Sequence, residues 1–81
     1  DPRRQEAVVQ DLMAQIERGD NAIVGFMLES YLEWGCQPTS HDPDKMDYGV
    51  SVTDPCIDCE TTERILREAA DRFRRVKIDL Q

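Results

Sequence analysis

The feature that most constrains the fold is an apolar run over residues 22–28 that stops abruptly at the carboxylate of Glu29. This run is too short for a buried helix, and it does not alternate with polar residues as a half-exposed strand would. It therefore predicts a strand covered on both faces, the pattern of parallel sheets. Glu29 would stand at the C-terminal end of that strand, where α/β folds bind ligands. A carboxylate that merely faces solvent fits the same position, and the run alone does not decide between the two.

Length and charge limit the classes of protein to which the chain can belong. Its 81 residues predict one small domain over residues 1–81. The 17 acidic and 10 basic side chains give a net charge of −7, which argues against nucleic acid and membrane surfaces as partners. The sequence has no apolar stretch of the roughly 20 residues that span a bilayer, and its start lacks the apolar core of a signal peptide. We therefore expect a cytoplasmic protein with reduced cysteines.

Hydrophobic periodicity predicts the order helix, strand, long loop, strand, helix. Apolar residues at helical spacing mark an amphipathic helix over residues 3–18, and Gly19 suits the left-handed position after its end. Residues 30–48 lack a period and form the loop. The β-branched residues of 48–53 predict a second strand, and a second amphipathic helix runs from residue 58 or 59 to 76. The fold class is thus α/β, with two parallel strands.

The apolar faces of these elements predict the core. Its members come from both helices and the first strand, and they are Val9, Leu12, Met13, Ile16, Ile23, Val24, Phe26, Leu28, Leu66, Ala69 and Phe73. Acidic residues precede basic residues by four positions along the second helix, as in Glu60 with Arg64 and Glu68 with Arg72. This spacing predicts weak ion pairs along a solvated helix face.

Three cysteines and the only histidine provide one possible metal site. Cys36, His41, Cys56 and Cys59 have the number and type of ligands that a closed tetrahedral zinc site needs. The Cys-x-x-Cys pair is the specific part of this pattern, whereas the spacing between Cys36 and His41 fits no familiar zinc module. A non-catalytic zinc-binding module is therefore the alternative hypothesis.

Two carboxylates provide the other possible metal site. Glu29 and Asp54 each follow directly after a predicted strand. If the strands are parallel neighbours, both side chains leave from the same edge and offer oxygen ligands to a divalent cation. An antiparallel hairpin would instead place the two acids more than about 10 Å apart, at about 3.3 Å per strand residue.

Two sequence blocks contain the residues discussed above: GFMLESYL at residues 25–32, followed by GCQ at 35–37, and YGVSVTDPCI at residues 48–57. Together they resemble the type I DAHP synthases (3-deoxy-D-arabino-heptulosonate 7-phosphate synthases). The family pattern is close to G-x-M-x-E-S-x-L, G-x-Q and Y-G-x-S-x-T-D-x-C-I. The chain departs from it at Pro55, where Ala is usual, and after Ile57, where Gly-Trp is common.

The resemblance implies that residues 1–81 are the C-terminal quarter of a (β/α)8 barrel. These enzymes condense phosphoenolpyruvate with erythrose 4-phosphate, which opens the shikimate pathway to the aromatic amino acids. They use a divalent metal ion of the Mn, Fe, Co or Zn class, held by Cys, His, Glu and Asp, and Glu29 and Asp54 match the last two. The family's Cys and His ligands match nothing here, so we expect the isolated chain to be inactive and prone to self-association through unpaired strands. The isolated chain need not bind a metal ion.

Overall fold

The computed structural model describes residues 1–79, with side chains described as far as Val76. It contains two α-helices, α1 over Arg3–Glu17 and α2 over Cys59–Asp79, and one short 3-10 helix over Pro43–Lys45. Residues 18–58 connect the two α-helices through turns, bends, isolated β-bridges and chain without regular secondary structure, apart from the 3-10 helix. Across residues 1–79, neither helix is long and apolar enough to cross a membrane.

Both predicted helices form, although α2 continues to Asp79, three residues beyond the predicted end. Local sequence explains the two ends of α1. The Asp1 carboxylate accepts a hydrogen bond from the Arg3 N–H at 3.0 Å, which occupies one free donor at the start of α1. At the other end Gly19 has φ +102°, and the N–H groups of Gly19 and Asp20 return to the carbonyls of Ile16 and Gln15. This pair of bonds is a Schellman motif, which glycine favours because it has no Cβ.

The start of α2 is fixed by a side-chain cap. Asp58 accepts a hydrogen bond from the Thr61 N–H at 2.9 Å, and the Thr62 hydroxyl donates to the Asp58 carbonyl at 2.8 Å. The pKa of Asp58 is lowered, first by its hydrogen bonds with Thr61. The charged carboxylate at the N-terminus of α2 also suits the helix dipole.

The prediction of an α/β fragment of a (β/α)8 barrel with two parallel strands is wrong for this chain. The described residues contain two α-helices, one short 3-10 helix and no strand or sheet. Ala22 lies in a bend, residues 23–28 have no regular secondary structure, and within residues 1–79 no other segment pairs with them through backbone hydrogen bonds. Val24 and Met27 are 98% and 96% exposed. Because a strand needs hydrogen bonds from neighbouring chain, an apolar pattern alone does not produce one.

The predicted second strand is replaced by a turn and a bend. Gly49 lies in a turn with φ +82°, and residues 52–54 bend. The Ser51 hydroxyl accepts from the Thr53 N–H at 3.2 Å, so a side chain takes the donor that a strand ladder would have used. Pro55, two residues further on, has no N–H to donate. The β-branched composition of this segment is thus overridden by local side-chain bonding.

Single β-bridges hold the connecting segment together. Ser30 bridges Ile57 in parallel, Cys36 bridges Ser51 in parallel, and Gly35 bridges Cys56 in the antiparallel sense. The last bridge has both of its hydrogen bonds, at 2.8 and 3.0 Å. These contacts fold residues 29–57 back on themselves and fix the position of the chain just before α2 begins.

The core lies between the two helices and the segment before α2. Its buried apolar members are Val9, Met13, Ile57, Ile65 and Ala69, with Ile16, Phe26 and Leu28 packed against them. Three predicted core residues, Val24, Leu66 and Phe73, are instead exposed. The completely buried Ile57 was not predicted, because it stands outside every periodic segment.

Two arginines of α2 join the helices. Arg64 forms two hydrogen bonds with the carboxylate of Glu6, at 2.6 and 2.8 Å, and Arg72 pairs with Glu17. Glu6 lies near the start of α1 and Glu17 at its end, so the two helices run in the same direction. The prediction that Glu68 pairs with Arg72 within α2 is wrong, because Arg72 pairs with Glu17 of α1 instead. Glu63 and Arg67 do pair within α2, at 2.8 Å.

We predict that Ile57→Val lowers the free energy of unfolding by about 0.5–1.5 kcal/mol, because it removes a methylene from a fully buried site. The matched control Val24→Ala truncates a 98% exposed side chain, and it should change stability by less than about 0.5 kcal/mol. Urea unfolding followed by circular dichroism measures both. Equal losses in the two variants would contradict the core described above.

A second prediction concerns acid unfolding. The Arg64 guanidinium lowers the pKa of Glu6, mainly through its hydrogen bond. The unfolded chain therefore binds the proton first, at a pKa of about 4.3. The stability that this pair supplies is present above that pH and is lost as the pH falls through the lowered pKa.

Urea unfolding between pH 6 and 3 tests this prediction. Arg64→Met should flatten the loss of stability on the acid side, and added salt should shrink the difference from the parent chain because the pair is partly exposed. The control Arg67→Met removes a pair confined to α2. An unchanged slope for Arg64→Met would count against the interhelical pair.

Candidate functional site

Two carboxylates meet in the connecting segment. The side chains of Glu29 and Asp54 lie within hydrogen-bonding range of each other, although 25 positions separate them along the chain. The pKa of Glu29 is raised, first by this hydrogen bond with Asp54 and then by the charge on Asp54. Like charges held together disfavour the ionised form. The structure therefore brings together the two acids that sequence analysis singled out, without the sheet on which that argument relied.

The main chain of Glu29 is held by two other parts of the chain. The Ile57 N–H donates to the Glu29 carbonyl at 3.0 Å, and the Tyr31 N–H donates to the Ile57 carbonyl at 3.0 Å. The side-chain amide of Gln5, in α1, bonds both the N–H and the carbonyl of Glu29. Next along the chain, the hydroxyls of Ser30 and Thr62 share a hydrogen bond of 2.5 Å. Glu29 is thus bonded to α1, and its neighbour Ser30 to α2.

Asp54 is placed by a compact turn. The bend that begins at Ser51 turns the chain just before Asp54, and the buried thiol of Cys56 donates to the Asp54 carbonyl at 3.3 Å. The antiparallel bridge between Gly35 and Cys56 anchors the far side of this turn. Asp54 therefore reaches Glu29 from a bend, and not from the end of a strand.

The predicted zinc ligands have no common site. Cys36, His41 and Cys59 are exposed, whereas Cys56 is buried with its thiol bonded to a backbone carbonyl. Among the described residues, no group of three or more His, Cys, Asp or Glu side chains is arranged to hold a metal ion. The zinc-module hypothesis therefore receives no support from the geometry.

The carboxylate pair fits part of a divalent cation site. Two exposed carboxylates in contact supply oxygen ligands, and a cation between them would relieve their mutual repulsion. Within the described part of the chain no third side chain completes a cluster. The pair therefore matches two ligands of a metal centre and not a whole one.

Sequence analysis missed two glutamines that shape this region. Gln37 accepts from the Asp47 N–H at 2.9 Å and donates to the carbonyls of Asp47 and Val50 at 2.7 and 3.0 Å, which closes the loop between them. Gln5 does the same for Glu29. Gln37 stands in the GCQ block that carries part of the resemblance, whereas Gln5 looks like any polar residue of an amphipathic helix.

Comparison with known proteins gives consistent matches. A family model described as the DAHP synthetase I family matches residues 1–67. The Tyr-sensitive phospho-2-dehydro-3-deoxyheptonate aldolase of Escherichia coli K12 is 47% identical over 68 residues, which cover 84% of this chain and 19% of that enzyme. Phospho-2-dehydro-3-deoxyheptonate aldolase AMT16 of Alternaria alternata is 43% identical over 67 residues, which cover 82% of this chain and 18% of that enzyme.

A solved structure agrees with these matches. Phospho-2-dehydro-3-deoxyheptonate aldolase from Francisella tularensis SCHU S4 superposes with a TM-score of 0.79 at 39% identity, over 89% of this chain and 20% of that one. The chain therefore spans about a fifth of the length of these relatives. Because the family model covers more than half of its residues, the chain belongs to the DAHP synthetase I family.

Proposed function

We propose that this chain carries two of the metal ligands, Glu29 and Asp54, of an enzyme that condenses phosphoenolpyruvate with erythrose 4-phosphate in aromatic amino acid biosynthesis. The observation that carries the proposal is the contact between these two carboxylates in a member of the family. The relatives are named phospho-2-dehydro-3-deoxyheptonate aldolases. We propose the same activity for the whole enzyme to which this chain contributes.

The chemistry of the pair supports a divalent cation as its ligand. Carboxylate oxygens suit Mn²⁺ and also serve Fe²⁺, Co²⁺ and Zn²⁺. When bound, such an ion supplies Lewis acidity that polarises a carbonyl. The part of this chain is to hold two oxygens together at the exposed edge of the connecting segment, with the Glu29 main chain fixed by Ile57.

We expect Asp54→Asn to weaken Mn²⁺ binding to the chain at least tenfold, or about 1.4 kcal/mol, because it removes one of two charged ligands. Electron paramagnetic resonance of free Mn²⁺ measures the affinity. The matched control is Asp47→Asn, which changes an exposed aspartate of the same segment. Equal affinities for the parent chain and both variants would overturn the metal assignment.

A measurement without metal tests the contact between Glu29 and Asp54 separately from metal binding. In Asp54→Asn the pKa of Glu29 should fall towards its ordinary value, since Asp54 supplies the largest cause of its rise. Carboxyl ¹³C shifts of Glu29 followed against pH give this pKa. If the pKa falls while Mn²⁺ affinity stays unchanged, the two carboxylates meet but do not bind metal.

We also expect the chain by itself to release no phosphate from phosphoenolpyruvate when erythrose 4-phosphate is added. Its two carboxylates are half of the four-ligand set that the family resemblance implies, and it spans only a fifth of its relatives. A phosphate-release assay with added Mn²⁺ tests this. Turnover that depends on both substrates, and is lost in Asp54→Asn, would show that the chain is a complete enzyme.

Three further expectations stay predictions. They are a position at the C-terminal end of the whole enzyme, a cytoplasmic location, and self-association through residues 22–28, which form no backbone pairing with another segment of residues 1–79. The exposure of Val24 and Met27 supports the last of these. Sedimentation velocity over a range of concentrations measures it directly.

A further inference from the structure

Gln5 makes an unusual contact for a polar residue of an amphipathic helix. Its side-chain oxygen accepts from the Glu29 N–H at 2.6 Å, and its side-chain nitrogen donates to the Glu29 carbonyl at 2.9 Å. An amide side chain offers one acceptor and two donors on a rigid plane, so it can bond both main-chain groups of one residue. Gln5 thereby gives Glu29 the two hydrogen bonds that a neighbouring strand gives to a paired residue.

This contact completes the main-chain bonding of Glu29. The Glu29 carbonyl also accepts from the Ile57 N–H at 3.0 Å, so both of its lone pairs are used. Within residues 1–79, the preceding residues 23–28 make no backbone hydrogen bond of this kind. The main-chain hydrogen bonding of this segment therefore begins at Glu29, with Gln5 and Ile57 as its partners.

The restraint matters because the side chain of Glu29 is exposed and faces a like charge. Among the described residues neither burial nor an opposite charge directs it, and when both carboxylates are ionised their repulsion pushes them apart. The direction of the Glu29 side chain therefore depends on the position of the Glu29 main chain. A fixed peptide limits the side chain to fewer rotamers, and it lowers the entropy that a ligand must overcome to order it.

We propose that Gln5 is a positioning residue, which clamps the main chain of Glu29 so that its carboxylate stays beside Asp54 in the arrangement that a divalent cation requires. The inference rests on the proposed function of that pair. It adds to it a residue of α1 that touches neither the cation nor a substrate.

Two variants of Gln5 and one control test the clamp. Gln5→Ala removes both hydrogen bonds, and Gln5→Glu keeps the size and helix propensity but replaces the donor with a charged oxygen that faces the Glu29 carbonyl. The control Gln15→Ala changes a glutamine of the same helix whose side chain bonds Asp11 within α1. Circular dichroism checks that all three variants keep the helix content of the parent chain.

Two metal-free readouts decide whether the clamp exists. Amide exchange of Glu29, measured by NMR, should become at least tenfold faster in Gln5→Ala and stay unchanged in Gln15→Ala. Three-bond couplings should report one χ1 rotamer for Glu29 in the parent chain and in Gln15→Ala, and averaged rotamers in both Gln5 variants. Unchanged exchange and an unchanged rotamer in Gln5→Ala would overturn the proposal.

Mn²⁺ affinity decides whether the clamp positions a ligand. Both Gln5 variants should weaken binding about fivefold to tenfold, with Gln15→Ala equal to the parent chain. If the parent chain binds Mn²⁺ and the Gln5 variants bind it equally well, Gln5 is structural only and the positioning role is wrong. If the parent chain binds no Mn²⁺, the proposed function fails, and averaging of the Glu29 rotamer in the Gln5 variants alone decides for or against the clamp.

Discussion

The parallel bridge at Ile57 links the candidate site to the core. Its N–H and carbonyl bond Glu29 and Tyr31, while its side chain is completely buried in the cluster formed by the two helices. Ile57 thus has a completely buried side chain and, within the described residues, also makes the only backbone bridge to Ser30. Because burial fixes the side chain and the bridge fixes the main chain, the position of Glu29 depends on the packing of the helices.

In the connecting segment, side chains make many of the hydrogen bonds to the main chain that a β-sheet would otherwise provide. Gln5 bonds the main chain of Glu29, Gln37 closes the loop at Asp47, and Ser51 turns the chain before Asp54. Each of these bonds satisfies polar main-chain groups that extended segments leave open. The connecting segment is therefore ordered by a few long side-chain contacts and three isolated bridges, which makes single polar residues unusually important to it.

Charge acts in opposite ways in two parts of the molecule. Between the helices, Arg64 and Arg72 meet acidic residues of α1, and these pairs hold two parallel helices together in a chain of net charge −7. At the candidate site two acids meet each other, and the pKa of Glu29 rises as a result. The first arrangement stabilises the fold as it stands, whereas the second favours a bound cation or a proton.

The sequence by itself determined both helices, the ends of α1 and the start of α2, because helix hydrogen bonds and caps are made among residues close along the chain, as at Asp58 and Gly19. It also identified the family, through the blocks around Glu29 and Asp54, and the family model confirmed it. Only the tertiary structure decided that residues 22–28 form no strand, that Ile57 lies in the core, and that Arg72 pairs with α1. Strand pairing and burial depend on which distant segments of the chain pack next to a given segment. An apolar or charged pattern shows what kind of contact a segment can make, but it does not identify the segment that makes that contact.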